Sequence, residues 1–407
     1  YGQALTMEYV DLMGQYYSYN SVGTAYTYFK DFDYTNSGVK STIASFWNNL
    51  YNCIASANNI LNWADKNKSV LGETNRNQVR GEALALRAFL HFDLYRLFCP
   101  DVKLSPWAEG IPYNKEFGVA LPPMYTVEEF VQLVINDLKE AETLLVGDPI
   151  VSTVPYTLGT KSDADKYVAR MNLYSVKAML ARAYQAKGDN VKAVAYAKEV
   201  IESGKFRLLE FASVDQTEAL TDVLFSDEHI FSLRNKELKD YSEKLHRDES
   251  KNGVTSFKPL PFGSYYNWYE GNNDDVRYSK WFNLGDFMKY YMDNTDAFFR
   301  KMPMIKLSEM YLIVAECSFD TDSETSLEYL NVLRDHRIRN HVHLQYLSKE
   351  SIHDEMRREY LGEGQMWYVM KRNNLKIETG ASSGDIEPSD VVYVFPMPDA
   401  EIEDGHR

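Results

Sequence analysis

The sequence predicts an all-α protein in which helical pairs stack side by side into a superhelix and an irregular, loop-rich face completes the molecule. Three observations carry that prediction. Apolar residues recur every three or four positions over long stretches. One helix–turn–helix unit between Met171 and Ile201 has small residues at its contact positions and a Gly-Asp turn. Two other stretches lose the period and fill with tyrosine and tryptophan.

The first forty residues are polar and tyrosine-rich, with Tyr16-Tyr17-Ser18-Tyr19-Asn20 and Asp31-Phe32-Asp33-Tyr34-Thr35-Asn36 set among Gly14, Gly23 and Gly38. No long helical stripe fits them. From Ser41 the pattern changes: Ile43, Phe46, Leu50, Ile54, Ala57, Leu61 and Ala64 fall on one face of a helix of about six turns. A second helix is predicted from about Asn77, with Val79, Ala83, Leu86, Leu90, Leu94 and Leu97 in its stripe, Phe89 and Phe92 widening it and Pro100 stopping it. A wide stripe implies neighbours on more than one side. A third helix starts at Thr126, whose hydroxyl can cap free amides with Glu129 three residues on. Phe130, Leu133, Val134, Leu138, Ala141 and Leu145 form its apolar face.

Leu180-Ala181, Tyr184, Gly188-Asp189, Ala193, Ala197 and Ile201 match the spacing of a tetratricopeptide repeat. One such unit cannot bury its own face, so neighbouring pairs are expected to stack on it. Between about Glu210 and Arg300 the period fades, and Phe225, Ile230, Phe231 and Leu233 read as short extended pieces. Residues 257–300 hold 14 aromatics in 44 positions, broken by Pro259, Pro261, Gly263, Gly271 and Gly285. Helices are expected to resume at Pro303, with Ile305, Leu307, Met310, Tyr311, Val314 and Ala315 on the first face. Leu327, Leu330 and Leu333 mark the next, and Ile352, Met356, Tyr360 and Leu361 a third. Val391 to Phe395 reads as a short extended piece closed by Pro396 and Pro398.

Composition narrows the function. Of 407 residues 44% are hydrophobic and 25% charged, which suits a folded chain with a sizeable core. A net charge of −15 repels nucleic acid and anionic lipid. Cys53, Cys99 and Cys317 all lie in apolar stretches, and an odd count without short spacing reads as core thiols in place of disulfides or a metal site. No phosphate-binding loop, dinucleotide fingerprint, nucleophile elbow or zinc-protease helix is present, so no cofactor is implied. His341-Val342-His343 lacks a helical i, i+4 partner and reads as polar surface histidines, with no metal site assigned. Asp320, Asp322 and Glu324 alternate like the start of a calcium loop, but the central glycine and distal Glu are missing, which leaves an acidic helix N-terminus. Among 59 carboxylates some pair lies at glycosidase spacing by chance, so a helical-barrel glycoside hydrolase stays as an enzyme alternative.

The aromatic excursions are the positive signal. Sugars lay their C–H faces against indole and phenol rings while the hydroxyl rim takes hydrogen bonds from Asn, Asp and Arg. Tyr265-Tyr266-Asn267-Trp268-Tyr269 with Asn272, Asn273 and Asp274 supplies that mixture. The competing reading of each ring is a buried anchor, since a long excursion without helices must bury something to stay ordered.

Together the helical strings resemble the SusD/RagB family of outer-membrane nutrient-binding lipoproteins of Bacteroidota. Trp47, Leu50-Tyr51, Ile54 and Asn58-Asn59 look like the family's first long helix, and Glu82-Ala83, Leu86-Arg87-Ala88, Phe92, Leu94, Arg96 and Phe98 like its second. Pro303 to Ile313 with Ala315-Glu316, Leu330-Asn331 with Arg334, Glu355, Arg357-Arg358-Glu359 with Glu363-Gly364 and Trp367, and Pro396-Met397-Pro398 with Glu401-Ile402 follow in family order. The resemblance implies one domain over 1–407, with a scaffold of tetratricopeptide-like pairs mainly at 41–205 and 303–375 and irregular segments at 1–40 and 206–302. It implies a non-catalytic protein held by lipid on the extracellular face of the outer membrane, with the lipid-bearing cysteine lying before Tyr1. Its expected partners are a SusC-like TonB-dependent transporter and an oligosaccharide ligand, or a peptide as in some members. The ligand face is expected from residues 16–40 and 257–300, with Tyr34, Asn36, Tyr265, Tyr266, Trp268 and Trp281 as ligand-binding residues.

Overall fold

A computed structural model describes residues 1–18, 25–118, 120–154, 166–215, 221–246, 258–259, 267–271, 274–283, 286–291, 301–378 and 384–405. The principal helices are α1 (Tyr9–Met13), α2 (Ala25–Lys30), α3 (Ser37–Lys66), α4 (Lys68–Phe98), α5 (Val127–Leu144), α6 (Leu173–Lys187), α7 (Asn190–Glu202), α8 (Val276–Trp281), α9 (Leu307–Ser318), α10 (Ser323–Asp335), α11 (Lys349–Tyr360) and α12 (Met366–Arg372). Among the described residues, eight short strands join in antiparallel pairs: β1 (Tyr17–Ser18) with β5 (Lys258–Pro259), β2 (Glu109–Pro112) with β3 (Met124–Thr126), β4 (His229–Arg234) with β8 (Lys301–Lys306), and β6 (Phe282–Asn283) with β7 (Asp286–Phe287).

Local chemistry explains where the helices begin and end. Asn36 Oδ1 accepts from the Gly38 and Val39 amides at 2.9 and 3.3 Å, so α3 starts at Ser37, ahead of its apolar stripe. In α4 the chain leaves helical geometry at Gly72 (φ 69°, ψ 168°), then runs helical to Phe98 and ends where Cys99 turns extended before Pro100. The capping box of α5 forms as its sequence predicts. Thr126 Oγ1 accepts the Glu129 amide at 3.3 Å, and Glu129 Oε2 accepts the Thr126 amide at 2.9 Å. Gly188 ends α6 in left-handed geometry (φ 83°), and Asp189 accepts the Lys192 amide at 3.2 Å to open α7.

Packing follows chain order: α3 on α4, α4 on α5, α5 on α6, α6 on α7, then α7 on α9 and α9 on α10. The buried alanines Ala178, Ala181, Ala193 and Ala197 leave room for α6 and α7 to approach. A buried polar node joins the first three long helices. Arg87 of α4 binds Asp137 of α5 through Nε and Nη2 at 2.7 and 2.8 Å and donates from Nη1 to Asn58 of α3 at 2.9 Å. His91, one turn along α4, stacks on Tyr113 with centroids 3.8 Å apart.

Three expectations are corrected. The helix expected from Pro303 begins at Leu307, because residues 301–306 pair with β4 and a proline is tolerated in a two-stranded sheet. Ser232, opposite Pro303, sends its amide to the Val168 carbonyl at 2.8 Å. Residues Asp390–Tyr393 form one helical turn before Val394 becomes extended. Cys53 is exposed on α3, whereas Cys99 and Cys317 are buried free thiols that burial pushes up to about 12.

His91 supplies a test of the node. The Asn114 amide donates to Nε2 at 3.1 Å, and Nδ1–H donates to the Arg87 carbonyl at 2.9 Å, which fixes the neutral ring. Burial lowers its pKa to about 3, so the unfolded chain takes up a proton that the native state refuses. Its contribution is complete above about pH 6.5 and is lost as pH falls toward 3. Urea unfolding of wild type and His91→Gln at pH 7 and pH 5 should show the gap moving by about 2 kcal/mol in the variant's favour at the lower pH. A gap that does not move contradicts a buried neutral His91.

Candidate functional site

The site is built outward from α11, which carries three acidic residues at every fourth position into the interior: Glu355, Glu359 and, just past its end, Glu363. All three are buried. Glu355 receives Arg277 at 2.7 Å and both Arg334 and Arg358 at 2.8 Å. Glu359 receives Lys306 at 2.8 Å, Arg337 at 2.9 Å and Arg277 at 3.1 Å. Glu363 receives Lys289 and Lys306, each at 2.6 Å. Burial alone would raise Glu359, but Arg337 and Lys306 outweigh it and hold the carboxyl well below the usual range.

The chain start is clipped to the same region. Asp11 of α1 accepts the amides of Gly362 at 3.0 Å and Gly364 at 3.1 Å and the Tyr17 hydroxyl at 2.5 Å. Burial still pushes Asp11 up to about 7 against those donors. Gly364 (φ 65°) passes so close to the N-terminal chain that a Cβ would lie 2.7 Å from the Leu5 carbonyl oxygen.

This frame positions one aromatic turn, 267–271. Arg358 Nε donates to the Trp268 carbonyl, the Tyr269 hydroxyl donates to the Arg358 carbonyl at 3.2 Å, and Glu270 bridges Arg334 at 2.8 Å and Arg358 at 3.0 Å. Tyr269 points inward and is buried, while Trp268 is half-buried with Asn267 and Glu270 exposed beside it. The indole stands edge-on to Tyr16 at 5.7 Å, and the Arg357 guanidinium lies 5.6 Å from the Trp268 ring and 5.5 Å from Tyr16. Arg357 is anchored by donating to the Gly14 carbonyl at 2.9 Å, and the Tyr16 hydroxyl donates back to the Arg357 carbonyl at 2.8 Å. With β1 paired to β5, the two irregular stretches of the sequence meet here.

The sequence-selected residues separate. Trp268 is half-buried on this face and packs against the core. Tyr265 and Tyr266 lie outside the described residues. Trp281 is corrected to a core anchor: it has no exposed surface, donates from Nε1 to the Val223 carbonyl at 2.9 Å, stacks on Phe225 and receives Lys289 at 4.0 Å from its centroid. Tyr34 is likewise a packing residue, 8% exposed, edge-on to Phe395 with its hydroxyl on the Val392 carbonyl at 2.7 Å. Asn36 serves as the cap of α3. Tyr34 forms part of the wall of a groove of about 950 Å³ between the start of α3 and residues 390–404, with Trp47, Val394 and Met397 among its other walls. Sequence reading missed Tyr16 and Arg357 as ring neighbours of Trp268, because only the fold brings chain positions 16, 268 and 357 together.

Comparison with known proteins places the chain. The family model described as SusD-like, starch-binding associating with outer membrane, matches residues 3–173, and the SusD family model matches residues 260–396. This chain is a member of the SusD family. Among solved structures, a SusD superfamily protein from Bacteroides thetaiotaomicron VPI-5482 shares 21% identity at a TM-score of 0.75, over 99% of this chain and 93% of that one. A putative sugar binding protein from Bacteroides vulgatus ATCC 8482 shares 22% at 0.76, over 98% and 91%. Surface glycan-binding protein A from Bacteroides uniformis shares 18% at 0.71, over 98% and 92%. No curated protein sequence matches significantly. These structural likenesses establish the SusD fold, and no helix among the described residues is long and apolar enough to cross a membrane.

The two tryptophans of the excursion should respond oppositely in thermal and urea unfolding. Trp281→Ala empties a filled core position and should cost about 3–5 kcal/mol, whereas Trp268→Ala should cost about 1 kcal/mol from its lost ring contact. Equal losses would contradict the division into core anchor and half-buried ring.

Proposed function

We propose that this SusD-like protein is a non-catalytic surface receptor that captures oligosaccharide and passes it to a TonB-dependent outer-membrane transporter, held to the membrane by a lipid anchor. The observation that carries the reading is the half-buried Trp268 on a turn fixed by Arg358 and Glu270, with polar Asn267 beside it. An indole held rigidly at a surface offers a stacking face whose ordering cost is already met by the fold. Solved relatives bearing the names sugar binding protein, surface glycan-binding protein and laminarin binding SusD-like protein support the same class of ligand. Tyr265 and Tyr266, next to this turn in sequence, complete the proposed ring set with Trp268, and Arg357 and Asn267 serve the hydroxyl rim.

Screening the protein against a panel of oligosaccharides, followed by calorimetry on the one that binds, tests the proposal. Trp268→Ala should weaken binding by roughly 1–3 kcal/mol, about five- to 150-fold, with no products formed from the glycan in either protein. Unchanged affinity in a folded Trp268→Ala protein would move the site elsewhere, and turnover of the bound glycan would replace the receptor by an enzyme.

A further inference from the structure

We propose a divalent transition-metal site formed by Asp335, His341 and His343, apart from the glycan face. Sequence alone offered His341-Val342-His343 without a third ligand; the fold supplies it from the last residue of α10. Ligand atoms of the three side chains all lie within 4.8 Å of one another. His341 Nδ1 is 2.8 Å from Asp335 Oδ1, and His343 Nε2 is 2.9 Å from Oδ2 and 3.1 Å from Oδ1. Each imidazole therefore turns one nitrogen to a single carboxylate, the donor set of a two-histidine, one-carboxylate centre.

The loop that holds the histidines is pinned in place. Asn331 donates to the Leu344 carbonyl at 3.1 Å and accepts the Leu344 amide at 2.8 Å, fixing the backbone immediately after His343. The site is also open on one side. The His341 side chain is 4% exposed, whereas Asp335 is 41% and His343 57% exposed, which leaves a path for an ion and positions for water. Two imidazoles with one carboxylate suit zinc, nickel or copper(II); calcium and magnesium require mostly oxygen donors.

Binding rearranges one contact. Arg334 Nε lies 3.1 Å from His341 Nε2 and donates to it, with the ring proton on Nδ1 toward Asp335. When a metal takes Nδ1 the proton moves to Nε2, and Arg334 gives up the ring while keeping Glu355 at 2.8 Å and Glu270 at 2.8 Å. That lost contact and the open fourth position make the site weaker than a closed four-ligand structural site.

Titration of chelator-stripped protein with zinc chloride in a calorimeter is the test. Wild type should bind one equivalent saturably, and His343→Ala and Asp335→Asn should each weaken that binding at least roughly tenfold. His343 and Asp335 are exposed enough for both variants to fold, which unchanged melting curves would verify. Cobalt(II) should give a ligand-field spectrum in wild type that zinc abolishes and equimolar calcium does not. Absence of saturable zinc binding, binding equal in wild type and His343→Ala, or displacement of the metal by calcium would each overturn the assignment.

Discussion

The structure turns on a set of carboxylates that cannot be left alone. Glu355, Glu359 and Glu363 are buried along one side of α11 and its end, and each is neutralised by cations from other parts of the chain. Removing one partner from such a cluster leaves an uncompensated interior charge, at a cost of about 3–5 kcal/mol. Arg277, Lys289, Lys306, Arg334 and Arg337 must therefore converge on α11, and they bring with them α8, β8, the end of α10 and the chain that connects them. The irregular excursion between the helical halves is organised by charge as much as by its aromatic content.

That constraint explains how one aromatic turn becomes a presentable face. Arg334 and Arg358 reach from the cluster to Glu270, and Arg358 also takes the Trp268 carbonyl, so the turn inherits the rigidity of α11. Asp11 ties the chain start to Gly362 and Gly364 just past the end of the same helix, which delivers Tyr16 against Trp268. A rigid indole costs a ligand less than a mobile one, because the ordering has been done in the fold.

Much of the scaffold was legible in the sequence because its signals are local. The stripe from Ile43 to Ala64, the Thr126–Glu129 box and the Gly188-Asp189 turn each encode an element within a few residues. The pairing of β4 with β8 was not, since its partners lie some seventy residues apart and Pro303 mimics a helix start. Among the rings, composition marked an aromatic excursion without showing which side chain turns inward. Trp281 and Trp268 have similar aromatic neighbours in sequence, yet the first has a carbonyl to meet its indole N–H in the core and the second sits on an outward turn. Asn36 and Tyr34 were drawn from a polar aromatic string whose chemistry is spent on capping α3 and closing its start. Arg357-Arg358-Glu359 was visible as a motif, but its division of labour appears only when Trp268 and Lys306 are brought to it.

Hydrogen–deuterium exchange on Glu359→Gln tests the dependence on the carboxylate cluster most directly. If the cluster organises the aromatic turn and the strand and helix around it, amides of 267–271, 274–283 and 301–306 should lose protection first and most strongly, with α3 to α7 retaining theirs. A uniform loss of protection across both halves, or no change near Trp268, would contradict that account.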